Sequence, residues 1–172
     1  MTRTKVLVAG VGNIFLGDDG FGVEVVRRLR NVPLPAHTRV ADYGIRGMHL
    51  AHDLASADHE LTIIVDATQR DDPPGTVYVI ELASSSVLDT LLIDAHGMQP
   101  DVVLAMVRVL GGDPGRVLLV GCEALDLRHG MSLRPPVEHA VDTAVRLVRD
   151  LVTSYPFASD EELSCALASL GK

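Results

Sequence analysis

Three short runs, Lys5-Val-Leu-Val-Ala-Gly10, Leu61-Thr-Ile-Ile-Val-Asp66 and Arg116-Val-Leu-Leu-Val-Gly-Cys122, are apolar at almost every position. Runs of this length without polar alternation read as strands buried on both faces, and such strands belong to a sheet covered by helices on each side. The segments between them supply the helices. Gly22 to Arg30 sets Val23, Val25, Val26 and Leu29 among basic residues, an amphipathic pattern that Asn31-Val-Pro-Leu-Pro35 ends. Gly47 to Ala55 reads as a second helix. Pro100 to Leu110 is a third, with proline near its start and Gly111-Gly112 beyond its end. Pro136 to Val152 is the longest, with Val137, Ala140, Val141, Ala144, Val145 and Val148 on one stripe.

His37 to Tyr43 reads as a further strand. Thr76 to Leu82, entered through the turn cluster Asp71-Asp-Pro-Pro-Gly75, reads as an edge or ribbon strand. Ser84 to Leu92 fits either kind of element. Alternating strands and helices imply a three-layer α/β/α sandwich around a mostly parallel, roughly five-stranded sheet. Residues 1–152 make one such domain, and 153–172 are a tail in which Ser159 and Glu162 offer a capping box for a short helix.

Composition narrows the function. With 15 basic against 23 acidic residues the formal charge is −8, which repels nucleic-acid phosphates. Six aromatics and no tryptophan leave little for a base-stacking surface. Cys122 and Cys165 match no zinc or redox spacing, so a reducing, cytoplasmic setting is expected. No leader pattern precedes the first strand, and no apolar stretch is long enough for a membrane span.

In doubly wound sheets the chemistry gathers at the carboxyl ends of strands, here after Gly10, Tyr43, Val65 and Gly121. The first of these loops, Gly10-Val-Gly12 through Gly17-Asp18-Asp19-Gly20-Phe21-Gly22, invites a dinucleotide-binding reading, with Asp42 as the ribose ligand. Phe15 occupies the place of the third glycine, and two aspartates stand where a pyrophosphate would sit, so the loop suits a cation or a helix cap better. Asp18 is expected to cap the following helix and Asp19 to serve as a ligand. Asp66 ends an apolar strand directly, and His96 precedes the helix at Pro100. Asp19, Asp66 and His96 together make an O,O,N set suited to nickel, zinc, manganese or iron(II), with positions open to water or substrate. His49 and His52 share one helix face and read as solvated. Cys122 reads as a small apolar core thiol, while Gly121-Cys122-Glu123 is expected near the cleft. No Gly-x-Ser-x-Gly elbow or phosphate-binding Walker loop occurs.

The string Val6-Leu-Val-Ala-Gly-Val-Gly-Asn13, continued by Gly17-Asp-Asp-Gly-Phe-Gly22, resembles the opening signature of the hydrogenase maturation proteases. The likeness continues through Gly44 to Met48, Ile64-Val-Asp66-Ala, the His96 loop and Gly121-Cys-Glu123, and ends near Val148. It implies an endopeptidase that trims the C-terminal extension of a nickel–iron hydrogenase large-subunit precursor. Its metal and catalytic residues would be Asp19, Asp66 and His96. Nickel would arrive already bound to the precursor, and another divalent ion could occupy the same place. Many members carry Asp-Gly-Gly-Thr where this chain has Asp42-Tyr43-Gly44-Ile45, so Tyr43 is expected to reshape the cleft floor. Two other readings stand beside this one: a non-enzymatic dinucleotide-binding module using Gly10, Gly12 and Asp42, and a different metal-dependent hydrolase on the same kind of sheet.

Overall fold

The computed structural model describes residues 5–56, 59–82 and 99–155. A five-stranded sheet runs in the order β2-β1-β3-β5-β4, with β1 Val6–Val11, β2 Thr38–Gly44, β3 Leu61–Thr68, β4 Val77–Glu81 and β5 Arg116–Glu123. The first four in that spatial order are parallel, and β4 closes one edge antiparallel to β5. The helices are α1 Phe21–Leu29, α2 Gly47–Ser56, α3 Pro100–Val109 and α4 Pro135–Ser154, and a 3-10 turn, Gly17–Gly20, leads into α1.

The three apolar runs are the three central strands, and their burial follows the two-residue period of a strand. Val6, Val8, Ile63, Val65, Leu118 and Val120 pack beneath α1 and α4 in one core. The residues between them, Leu7, Ala9, Ile64, Val117 and Leu119, pack beneath α2 and α3 in a second. Consecutive side chains thus serve opposite layers, which is why the sequence shows no polar alternation. The expected sandwich is the observed fold, and α4 runs to Ser154, two residues beyond the reading from periodicity. Ser84 to Leu92 and the Ser159–Glu162 box lie outside the described residues.

This order has a consequence for the site. After β1 the chain turns to β2 at one edge, and the return to β3 places β3 on the far side of β1. The carboxyl ends of β1 and β3 therefore flank the point where the winding reverses, the place where such sheets open a crevice.

Candidate active site

Glycine geometry at two positions brings the end of β1 and the end of β3 together. Gly12 has φ +127°, and a Cβ there would collide with the Asp19 carbonyl oxygen. The backbone can therefore run directly against Asp19 only without a side chain at residue 12. A Cβ at Gly22 would strike the carbonyl oxygens of Val65 and Val11, so α1 settles onto β1 and β3 immediately beside Asp66. Asp19 and Asp66 thereby line one cleft of about 880 Å³, together with Asn13, Leu16, Thr68, Gln99 and other residues of the strand-end loops.

The two carboxylates differ in surroundings. Asp19 Oδ2 accepts the Asn13 N–H at 2.7 Å. Asp66 is only 9 % exposed. Burial holds its carboxyl well above the usual carboxylate range, the Asp19 charge pushes it further, and the Ala67 N–H opposes both. Among the described lining residues there is no lysine, arginine or histidine, while Asp101 on the first turn of α3 adds a third acid. Among the described residues the acids of the cleft floor have no cationic side chain beside them, an arrangement that favours a cationic centre. His96 lies outside the described residues. Among the described residues no three His, Cys, Asp or Glu side chains gather as a metal site.

Asp18 is not the cap of α1. Neither the 3-10 turn nor α1 has a side-chain cap hydrogen bond. The fully buried Asp18 carboxylate instead accepts the N–H groups of Leu125 and Asp126, each at 2.8 Å, and of Arg134 at 2.6 Å. Arg134 immediately precedes α4, so Asp18 holds the loop after β5 and the start of α4 against the loop after β1. Adjacent aspartates thus face opposite ways. Asp18 turns into the protein and Asp19 into the cleft, a division invisible in their sequence.

Tyr43 also departs from expectation. Its ring is buried in the core under α2, its hydroxyl donates to Asp53 Oδ2 at 2.6 Å and accepts from Arg39 at 3.0 Å, and it does not line the cleft. The following residue but one, Ile45, lines the cleft instead and is 64 % exposed. Gly121, Cys122 and Glu123 are buried behind the cleft wall. Glu123 accepts the Arg70 N–H at 2.9 Å and Tyr78 bonds to Thr68, which together hold the chain beyond Asp66. Burial, with Asp18 and Glu123 nearby, pushes the Cys122 thiol up to about 12, and its side chain packs in the first core rather than lining the cleft. His49 and His52 are exposed on α2. Gln69, Gln99 and Asp101 line the cleft although the sequence did not single them out. Only Asp101 left a signal, as an acid in the first turn of a helix that starts at the strand-end face.

The glycines that suggested a dinucleotide are used internally. A Cβ at Gly10 would meet the Gly22 carbonyl oxygen at 2.5 Å, and Gly12 faces Asp19, so both serve the packing of α1.

Fold and cleft together define a doubly wound α/β enzyme whose site is floored by carboxylates at the switch point. A family model described as hydrogenase maturation protease matches residues 23–151. The hydrogenase 2 maturation protease of Escherichia coli strain K12 is 34% identical over 146 residues, which cover 84% of this chain and 88% of that protein. A putative hydrogenase maturation protease of Methanocaldococcus jannaschii is 31% identical over 153 residues, covering 86% and 96%. Among solved structures, the hydrogenase maturating endopeptidase HybD from E. coli superposes with a TM-score of 0.69 at 30% identity, over 88% of this chain and 93% of that one. The chain belongs to the hydrogenase maturation protease family, and it is an endopeptidase.

Proposed function

We propose that this endopeptidase removes the C-terminal extension of a nickel–iron hydrogenase large-subunit precursor once that precursor has received nickel. The observation that carries the reading is the carboxylate pair: Asp19 and the buried Asp66 share one cleft with no cationic side chain among its described lining. Such a floor repels an ordinary acidic segment and attracts one that carries a metal cation. In this reading nickel is part of the substrate. It is held by thiolates of the precursor and reached on its other side by Asp19, Asp66 and His96, a donor set appropriate to nickel. Precursor without metal lacks that attraction and is left uncut. A carboxylate of the pair would take up the proton of the attacking water and return it to the leaving amine, and the precursor's nickel would supply Lewis acidity at the scissile carbonyl.

Residues 1–152 carry this activity as one domain, and 153–172 lie outside the catalytic unit. A cytoplasmic, reducing setting belongs to the same reading, supported by the free, buried Cys122.

The decisive experiment is to mix the protein with nickel-loaded and nickel-free precursor and follow the mass of the large subunit. A mass loss restricted to the loaded form is expected. Asp19→Asn, Asp66→Asn and His96→Ala should each lower that rate by about 100-fold or more with the far-ultraviolet circular dichroism unchanged. Full activity in all three variants would reject the site.

A further inference from the structure

The described residues expose eight large apolar side chains, and their distribution is uneven. Ile14 and Phe15 follow β1, Ile45 and Met48 follow β2, and Leu125 and Met131 follow β5, so six of the eight crowd the face that holds the cleft. Val109 and Leu110, at the end of α3, are the other two. Clustered apolar exposure of this kind marks a surface that is covered in use.

Four of the six belong to one ridge. The Asn13–Gly17 segment separates the cleft from a second groove of about 540 Å³: Asn13 and Leu16 line the cleft, whereas Ile14 and Met131 line the groove. Phe15, within the same segment, is 56 % exposed and Met131 is 75 % exposed. The ridge is welded to the loop after β5. Gly17 N–H donates to Gly130 O at 2.8 Å, Gly130 N–H to Phe15 O at 3.0 Å, and Asp18 N–H to Asp126 O at 2.9 Å. The buried Asp18 carboxylate gathers three more N–H groups of the same region. A surface ordered in advance binds without the entropy cost of ordering loops.

We propose that this ridge, Ile14, Phe15, Leu125 and Met131 with the groove behind it, is the docking surface for the folded body of the large-subunit precursor, through an apolar patch on that body. The proposal rests on the processing reading above, since a protein whose chain reaches Asp66 on the cleft floor is carried onto the walls of that cleft. The chemistry of the patch follows from the charges beside it, which are already paired. Glu24 binds Arg27 and Arg28, Arg28 also binds Glu138 and Asp142, and Asp126 binds Arg128 and Arg134. What the ridge leaves unsatisfied is apolar.

The test titrates nickel-loaded precursor into the wild-type chain, the double variant Phe15→Asp/Met131→Asp and the control Val109→Asp, by calorimetry, with thermal melts to verify folding. The double variant should weaken binding at least about tenfold and Val109→Asp by no more than about twofold. Processing assays should show the same loss in KM rather than in kcat. The loss caused by the double variant should be the same within about twofold at about 0.05 M and about 0.5 M NaCl, because an apolar contact is not screened. Equal affinity of the double variant, an equal loss in Val109→Asp, no binding by the wild type, or a loss in the double variant that vanishes at the higher salt would each overturn the docking surface. Ridge-dependent binding without cleavage would instead retain the docking surface and reject the processing reading.

Discussion

Asp66 is held in a place that costs the free protein stability. Its carboxyl is buried beside the Asp19 charge, and both effects raise its proton affinity above that of the unfolded chain. Between the unfolded and the folded pKa the native state keeps a proton that the unfolded chain has lost. Stability therefore falls as pH rises through that interval, and the penalty is complete above it. Asp66→Asn removes the charge and keeps an oxygen for the Ala67 N–H. With chelator present, the variant should melt a few degrees above the wild type near neutral pH, and the gap should close toward about pH 4. Scanning calorimetry across that range checks this, and a wild type that is the more stable at neutral pH would contradict it. In the processing reading, such a cost is what a residue placed for chemistry carries. Sequence revealed this much because an aspartate closing the largely apolar run of residues 61–65 is conspicuous, although β3 itself continues to Thr68. It could not separate Asp18 from Asp19, since both sit in the same polar loop and only the fold of that loop decides which carboxylate is buried.

Elements are joined at the site by backbone bonds more than by side-chain packing. The 3-10 turn before α1, the loop after β5 and the first residue before α4 meet on the Asp18 carboxylate, which fully occupies itself with three backbone donors. Removing it leaves those three N–H groups without their acceptor, in hydrogen bonds that are partly buried. Asp18→Ala should therefore destabilise the protein by about 3 kcal/mol or more, at about 1–3 kcal/mol for each donor left unpaired. Urea unfolding measures the loss directly, and a change below 1 kcal/mol, roughly one ordinary hydrogen bond, would show that the staple is dispensable. Asp18→Asn retains the shape and loses the charge, so an intermediate loss separates charge from geometry. Elements themselves were legible: three double-faced strands, a polar break after α1 and proline-started helices leave little choice. Tyr43 shows where that legibility ends. It follows Asp42 at the end of β2, a cleft position by sequence, yet strand alternation turns its ring into the α2 core and its hydroxyl to Asp53.

At the scale of the molecule, the charge of −8 is spread over a surface whose one apolar concentration surrounds the cleft among the described residues. No helix of the described residues is long and apolar enough to cross a membrane. Residues 5–155 contain both cores, with Tyr155 packed on the first. In line with the one-domain proposal, truncation after Tyr155 should leave the processing rate within about twofold, the scatter of an ordinary surface change. Loss of processing with the melting temperature preserved would assign the tail a part in the reaction. The sequence by itself determined the layers, because the apolar period is set by which faces of each strand must be covered. It also marked Asp19 and Asp66, because strand ends follow from the strands. The tertiary structure decided what spacing along a chain cannot carry: the shared cleft of those two acids, the inward turn of Asp18 and Tyr43, and the weld of two distant loops into an apolar ridge. The burial of Asp18 and the weld bring together residues more than a hundred positions apart, as Asp18 and Arg134 are, and all of these arrangements are fixed by packing in three dimensions.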